Sequence, residues 1–357
     1  MCYYIRNNDD YIYGNLYAHI NRDGNSHSVI QQLSTSIHDS NYNEIDYEIN
    51  IDQLRASKTK MGQCSSMLEK SIKKLLKNYI DILARNEADV GCIPKQFDIK
   101  CDLPLKKGAK PFKIPQPYNL HPQYFEEAKR QIEVLIAAGW IRPSKSPWAC
   151  GLTFARKKNG ELRMCLDLRQ LNLRLQDQTC LMPKITDLLA QFKGKKVFSS
   201  IDVKSGYWNV EISEEDREKT AFLTPWGLFE WNRMPFGIKT APFIFQRAMK
   251  KVFAGLDFVL VYLDDIVVLS DNENEHAEHL KEVFKRLQEY NIKVRLDKCQ
   301  FAMKELEYLG HLVNSTTQSP TPTYKGRIIN CKIPRSKKEL ESFLGLCNWI
   351  GRFIPNI

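Results

Sequence analysis

Phe258-Val259-Leu260-Val261-Tyr262-Leu263-Asp264-Asp265-Ile266-Val267-Val268-Leu269 sets two adjacent carboxylates between two apolar, β-prone runs. The runs read as the arms of a buried hairpin with the acids at its tip. Ionised carboxylates taken out of water unpaired cost several kcal/mol or more, and neighbouring acids repel each other. A divalent cation removes both penalties. The competing reading of a bare Asp-Asp is a solvated turn, in which Asp bonds its own backbone; the apolar flanks on both sides argue against it. A third acid closes another β-rich run, Val197-Phe198-Ser199-Ser200-Ile201-Asp202, which is followed by Gly206. Two strands of one sheet ending in these acids would gather three carboxylates. Such a set can hold two Mg²⁺ ions about 3.5–4 Å apart for an in-line phosphoryl displacement.

The chain has 357 residues, enough for two or three domains and a substantial core. Its 52 Lys and Arg outnumber 42 Asp and Glu, giving a net charge of +10, which favours a polyanionic partner. No stretch approaches the roughly 18 apolar residues that would span a bilayer, and Met1-Cys2-Tyr3-Tyr4-Ile5-Arg6 lacks the apolar core of a signal peptide. The expectation is a soluble, intracellular protein without a membrane partner. The 10 cysteines form no Cys-x-x-Cys pair and no zinc-knuckle spacing, so they read as reduced thiols.

Residues 1–60 are rich in Asn, Asp, Ser and Tyr and carry no assignable function. Ser66-x-x-Glu69 is a capping-box pattern, and Leu68, Ile72, Leu75, Leu76, Tyr79, Ile80 and Leu83 recur at helical spacing. Prolines from Pro94 to Pro122 predict an extended arm. Pro122 opens a second helix, with Phe125, Ala128, Ile132, Leu135 and Ile136 on one face and Gly139 at its end. Strand-like runs at 150–156 and 162–168 flank Lys157-Lys158-Asn159-Gly160, a hairpin signal with a basic tip. From 197 to 313 strands and helices mix without a regular βαβ series, which indicates an α+β class. One of these helices carries Leu280, Val283, Phe284, Leu287 and Tyr290. His276 and His279 lie on it among Glu273, Glu275 and Glu278, and read as part of a solvated face rather than a metal pair. Ser315 to Thr323 reads as a linker, and Ser336 to Phe353 as helical.

Taken in order, Leu162-Arg163-Met164-Cys165-Leu166-Asp167-Leu168-Arg169-Gln170-Leu171-Asn172, Ser200-Ile201-Asp202-Val203-Lys204-Ser205-Gly206-Tyr207, Met234-Pro235-Phe236-Gly237 and Tyr262-Leu263-Asp264-Asp265 resemble a reverse transcriptase. Lys219-Thr220-Ala221-Phe222, Ala241-Pro242-Phe243-Ile244-Phe245-Gln246 and Leu309-Gly310-His311 extend the match. The whole, from about residue 64 onward, is similar to the polymerases of gypsy-type LTR retrotransposons and related pararetroviruses.

The resemblance implies an α+β right-hand polymerase fold. An amino-terminal helix and Pro-rich arm would span 61–119, fingers 120–190, a palm with a mixed or antiparallel sheet 191–314, and a linker with the start of a thumb 315–357. It implies RNA-directed DNA synthesis on an RNA or DNA template-primer with dNTPs. Asp202, Asp264, Asp265 and the backbone carbonyl of Val203 would bind two Mg²⁺, with Mn²⁺ as the alternative. Tyr207 matches a bulky gate that clashes with a ribose 2′-hydroxyl. Arg163 and Lys157 or Lys158 match residues that hold the triphosphate, and Phe236 and Gly237 line the nucleotide pocket. Lys298 matches a lysine proposed to protonate departing pyrophosphate. Leu309-Gly310-His311 resembles a primer grip. Tyr262, Asn348 and Trp349 fall where the family meets primer and template.

By the same resemblance the chain would work beside other parts of a retroelement polyprotein, in a cytoplasmic particle or in the nucleus. The sequence has no Asp-Thr/Ser-Gly protease signature and stops before an RNase H could begin, so no template degradation and weak, distributive synthesis are expected. Arg233 and Lys239-Thr240 depart from the small or apolar residues usual there. Two other readings remain: a decayed fragment that binds nucleic acid without turnover, and an RNA-dependent RNA polymerase. Retention of all three acids argues against the first, and the bulk of Tyr207 against the second.

Overall fold

The computed structural model describes residues 59–86, 88–156, 162–178, 181–331, 333–351 and 353. An edge strand, β1 (Lys60–Met61), precedes helix α1 (Ser66–Asn78), which buries Leu68, Ile72 and Leu76. Its cap is Ser65, whose side chain accepts the Leu68 N–H, one residue earlier than the Ser66 capping box expected from sequence. The Pro-rich arm contributes only β2 (Lys100–Cys101) and short turns. A single turn at Pro122–Tyr124 leads into α2 (Phe125–Ala137), which Gly139 ends with φ +68.

Strands β3 (Ile141–Pro143), β4 (Cys150–Arg156) and β5 (Leu162–Asp167) follow, then α3 (Arg169–Arg174), α4 (Ile185–Ala190), β6 (Val197–Asp202) and β7 (Glu211–Ile212). Next come β8 (Phe222–Thr224), β9 (Gly227–Trp231), α5 (Ala241–Val252), β10 (Val259–Tyr262), β11 (Asp265–Ser270) and α6 (Glu273–Glu289). The chain continues through β12 (Gln300–Met303), β13 (Glu305–Tyr308), β14 (His311–Asn314) and β15 (Gln318–Pro320) to α7 (Pro322–Ile329) and α8 (Lys337–Gly351).

Two five-stranded sheets organise these elements. The first has the order β3-β9-β8-β4-β5 and the second β1-β12-β6-β11-β10. The sheets do not divide at residue 190 as the sequence blocks do. β8 lies parallel to β4 and antiparallel to β9, so residues 222–231 belong to the same sheet as 141–167. Nothing local in these short runs specifies a pairing to strands so distant in sequence.

The second sheet is covered on both faces, which explains why β10 and β11 read as continuous apolar runs without period-two alternation. Val197, Ile201, Ile266 and Val268 join the main core with Ile72 of α1, Phe245 of α5 and Leu280, Val283 and Leu287 of α6. Phe198, Val267 and Leu269 face the other way and pack with Leu188 and Leu189 of α4, Phe192, Leu306, Tyr308 and Val313. The helix α6 corrects one expectation. His276 is fully buried, not solvated, and bridges Ser199 Oγ (2.7 Å) and Ser270 Oγ (2.8 Å) on neighbouring strands. His279 Nδ1 lies 2.8 Å from Ser270 Oγ, and its ring stacks on Phe258 at 3.6 Å.

Candidate active site

Asp202 closes β6 and Asp265 opens β11, and the two are direct partners in the antiparallel ladder. Their side chains therefore leave the same face of the sheet, with Cβ atoms about 4.5–5.5 Å apart in such pairs. Tyr262 is the partner of Asp265 on the other side, which leaves Leu263 and Asp264 as a two-residue turn. Leu263 takes φ +54 there, a left-handed conformation that costs a non-glycine residue about 1–2 kcal/mol. Gly206 follows from the position of Asp264. A Cβ on it would overlap Asp264 Oδ1 and fall 2.8 Å from the Phe245 ring.

The three acids are electrostatically coupled. Burial, then the neighbouring Asp265 and Asp202, push the Asp264 carboxyl up to about 6. Asp265 is raised by burial and by Asp202. Burial also raises Asp202, against the opposing pull of Lys298 and Arg295. Asp264 and Asp265 are nonetheless open to solvent along one side, as a site for an incoming group requires. Among the described residues no three His, Cys, Asp or Glu side chains are grouped as a ready-made metal site, and Asp202, Asp264 and Asp265 are neighbours through the strand pairing and the turn.

Around them, the Tyr207 ring packs between Phe236 (5.2 Å) and Phe245 (5.5 Å), and its hydroxyl is pushed up to about 12 by burial and by Asp264. The Arg163 guanidinium lies 5.1 Å from the Phe236 ring centre, so β5 and the Phe236 loop meet at the same place. Gly237 has φ +101, and its carbonyl accepts from Asn172 Nδ2 at 2.8 Å. Val203 is buried next to Asp202. Lys298 is exposed and within electrostatic reach of Asp202. Lys157 and Lys158 lie outside the described residues.

Leu309 (φ 48) and Gly310 (φ 80) form a tight hairpin turn between β13 and β14. The His311 ring is buried beneath this turn, 5.0 Å from Trp349 and 5.3 Å from Phe353, and does not project from the surface. Trp349 stacks on Tyr324 at 4.2 Å, whereas Asn348 is exposed on α8. Tyr262 is half-buried and packs with the Phe198 cluster. The acids, Tyr207, Phe236, Gly237 and Arg163 are thus brought together, while the Leu309 turn joins α7 and α8. Sequence reasoning missed the buried Gln246 and also Cys299, whose Sγ lies 3.5 Å from the Asp202 N–H.

Residues 155–313 match the family model described as reverse transcriptase (RNA-dependent DNA polymerase). The chain is 30% identical over 314 residues to the Transposon Tf2-3 polyprotein of Schizosaccharomyces pombe, covering 87% of this chain and 23% of that polyprotein. The Tf2-7 polyprotein of the same yeast is 29% identical over the same length. The chain therefore spans about a quarter of the curated relatives it matches. Among solved structures, a foamy viral protease-reverse transcriptase in complex with double-stranded DNA superposes with a TM-score of 0.76 at 26% identity, covering 86% of this chain and 52% of that one. Another, in complex with an RNA/DNA hybrid, superposes with a TM-score of 0.71 at 24% identity over 84% of this chain and 39% of that one. The fold is that of the right-hand polymerases, and residues 155–313 are the stretch of it that matches the reverse transcriptase family.

Proposed function

We propose that the chain is the RNA-directed DNA polymerase of a gypsy-type LTR retroelement and functions as part of, or cut from, a longer polyprotein. The observation that carries this reading is the cross-strand pairing of Asp202 with Asp265, with Asp264 on the adjoining turn. Hard oxygen donors, crowded together and destabilised in their charged form, fit divalent cations. Asp202, Asp264, Asp265 and the Val203 carbonyl would hold two Mg²⁺ or Mn²⁺ ions, which supply positive charge at the primer 3′-oxygen and the triphosphate.

The remaining residues bind and orient. Arg163, with Lys157 or Lys158, meets the triphosphate, as long cations suit a polyanion. Tyr207, held between Phe236 and Phe245, presents a rigid ring where a ribose 2′-hydroxyl would clash, which selects dNTPs. Phe236 and Gly237 line the nucleotide pocket. Lys298 supplies a proton to departing pyrophosphate. The Leu309-Gly310-His311 turn and Tyr262 place the primer end, with His311 acting from beneath as packing. Asn348 and Trp349 carry the duplex along α8. Fingers (120–190), palm (191–314) and the start of a thumb (315–357) are the working partition, with β8 and β9 returning to the fingers sheet. Work in a cytoplasmic particle or in the nucleus fits this reading. Among the described residues no helix is long and apolar enough to cross a membrane.

Extension of oligo(dT) on poly(rA) with dTTP and Mg²⁺ tests the proposal. The wild-type chain is expected to extend the primer. Asp264→Asn is expected to lose at least about 10³-fold of the rate, the scale of lost transition-state electrostatics, while still retarding primer–template on a gel. Equal extension by the two proteins would refute the assignment.

A further inference from the structure

The polymerase reading assigns no role to Gln246, whose side chain is entirely buried on α5, next to Phe245 beneath the turn. Among the described residues β10 is the last strand of its sheet, so the backbone groups on its outer edge have no strand there to bond. The Val261 carbonyl and the Leu263 N–H both point to that edge, since residues two apart in a strand share a side. Gln246 meets both. Its Nε2 donates to the Val261 carbonyl at 3.0 Å, and its Oε1 accepts the Leu263 N–H at 2.7 Å. Only one orientation of the amide satisfies both partners.

We infer that Gln246 is a positioning residue for the acidic centre, acting as one rung of a missing strand to hold the strained Leu263-Asp264 turn and thereby the spacing of the carboxylates. Leu263 keeps φ +54 only because its surroundings over-determine it, and this amide is the contact that grips its backbone. No other side chain of similar size does the work. Met has neither donor nor strong acceptor, Glu has no donor when ionised, and Asn is one methylene too short. The inference rests on the acids being a cation site.

Gln246→Met tests it, read by the rise in melting temperature on titration with Mn²⁺ without nucleic acid and, separately, by primer–template affinity. Loss of an outer partner of a metal site weakens metal binding about 10–100-fold. Gln246→Met is therefore expected to need at least about tenfold more Mn²⁺ for half of the stabilisation, with primer–template affinity within about twofold of wild type. Gln246→Asn, which keeps a polar amide, gives the same reading if the methionine variant does not fold. Wild-type Mn²⁺ dependence in a folded variant overturns the positioning role and leaves the polymerase reading intact. Absence of Mn²⁺ stabilisation and of primer extension in the wild-type chain overturns the polymerase reading itself.

Discussion

At the scale of single residues, Asp264 governs the behaviour of the site. Its carboxyl sits at about 6 in the folded chain, against an ordinary value near 3.8. A raised value means that the folded state binds the proton more tightly than the unfolded one, so stability is lost as pH rises from about 4 to about 6. In the absence of divalent cations, Asp264→Asn lacks this loss. Its melting temperature relative to wild type is expected to climb through that window and then level off; a constant difference would show that Asp264 is not destabilised. Gly206 makes a second prediction. Gly206→Ala inserts a methyl against both the Asp264 oxygen and the buried Phe245 ring, so the carboxylate must swing away and the ring must yield. Incorporation is expected to drop by about 10² or more, as misplacement of about 1 Å does, with far-UV circular dichroism unchanged. Wild-type rates in this variant would mean that Asp264 has another working position.

At the scale of elements, α6 shows what a polar pair can do inside a core. His276 ties Ser199 of β6 to Ser270 of β11, and the Ala302 N–H of β12 donates to the same Ser199 oxygen at 3.1 Å. Burial holds the imidazole neutral, far down at about 3. Three strands of the acid-bearing sheet are thereby fixed to one helix. His276→Leu leaves two buried hydroxyls without this partner and is expected to cost about 2–4 kcal/mol, measured as a lower urea midpoint at unchanged slope. A loss below about 0.5 kcal/mol, the surface level, would show that the bridge is dispensable.

The same helix shows what was legible in the sequence. The stripe Leu280, Val283 and Leu287 was readable, and His276 lies on its continuation one turn earlier, a spacing that outweighs the flanking glutamates. Gln246 is the same case on α5, a polar residue among buried Phe245, Ala248, Met249 and Val252. For His276 chemical type argued for solvent and periodicity for the core. The three acids were legible because charge at the end of an apolar strand has few explanations. The pairing of β8 with β4 was not, because strand partners far apart in sequence are chosen by packing rather than by local propensity. The helix cap was off by one residue because Ser65 and Ser66 are chemically equivalent there.

At the scale of the whole molecule, two sheets meet at the site through side chains. The first sends Arg163 to Phe236, and the second carries the acids beneath Tyr207, which touches the same Phe236 ring. The proposed nucleotide pocket is therefore a joint between sheets, while Asp202 and Asp265 belong to one ladder and Asp264 to its adjoining turn. The basic balance of +10 suits a nucleic-acid partner, but the proposed chemistry would depend on cation occupancy at the acids. Electron paramagnetic resonance of Mn²⁺, with the chain bound to a chain-terminated primer–template and the next dNTP, measures that occupancy directly. About two ions per wild-type chain are expected, as in two-metal sites, and at most about one in Asp202→Asn. Wild-type protein that binds no Mn²⁺ in this complex, or an Asp202→Asn chain that binds as many ions as wild type, would contradict the account.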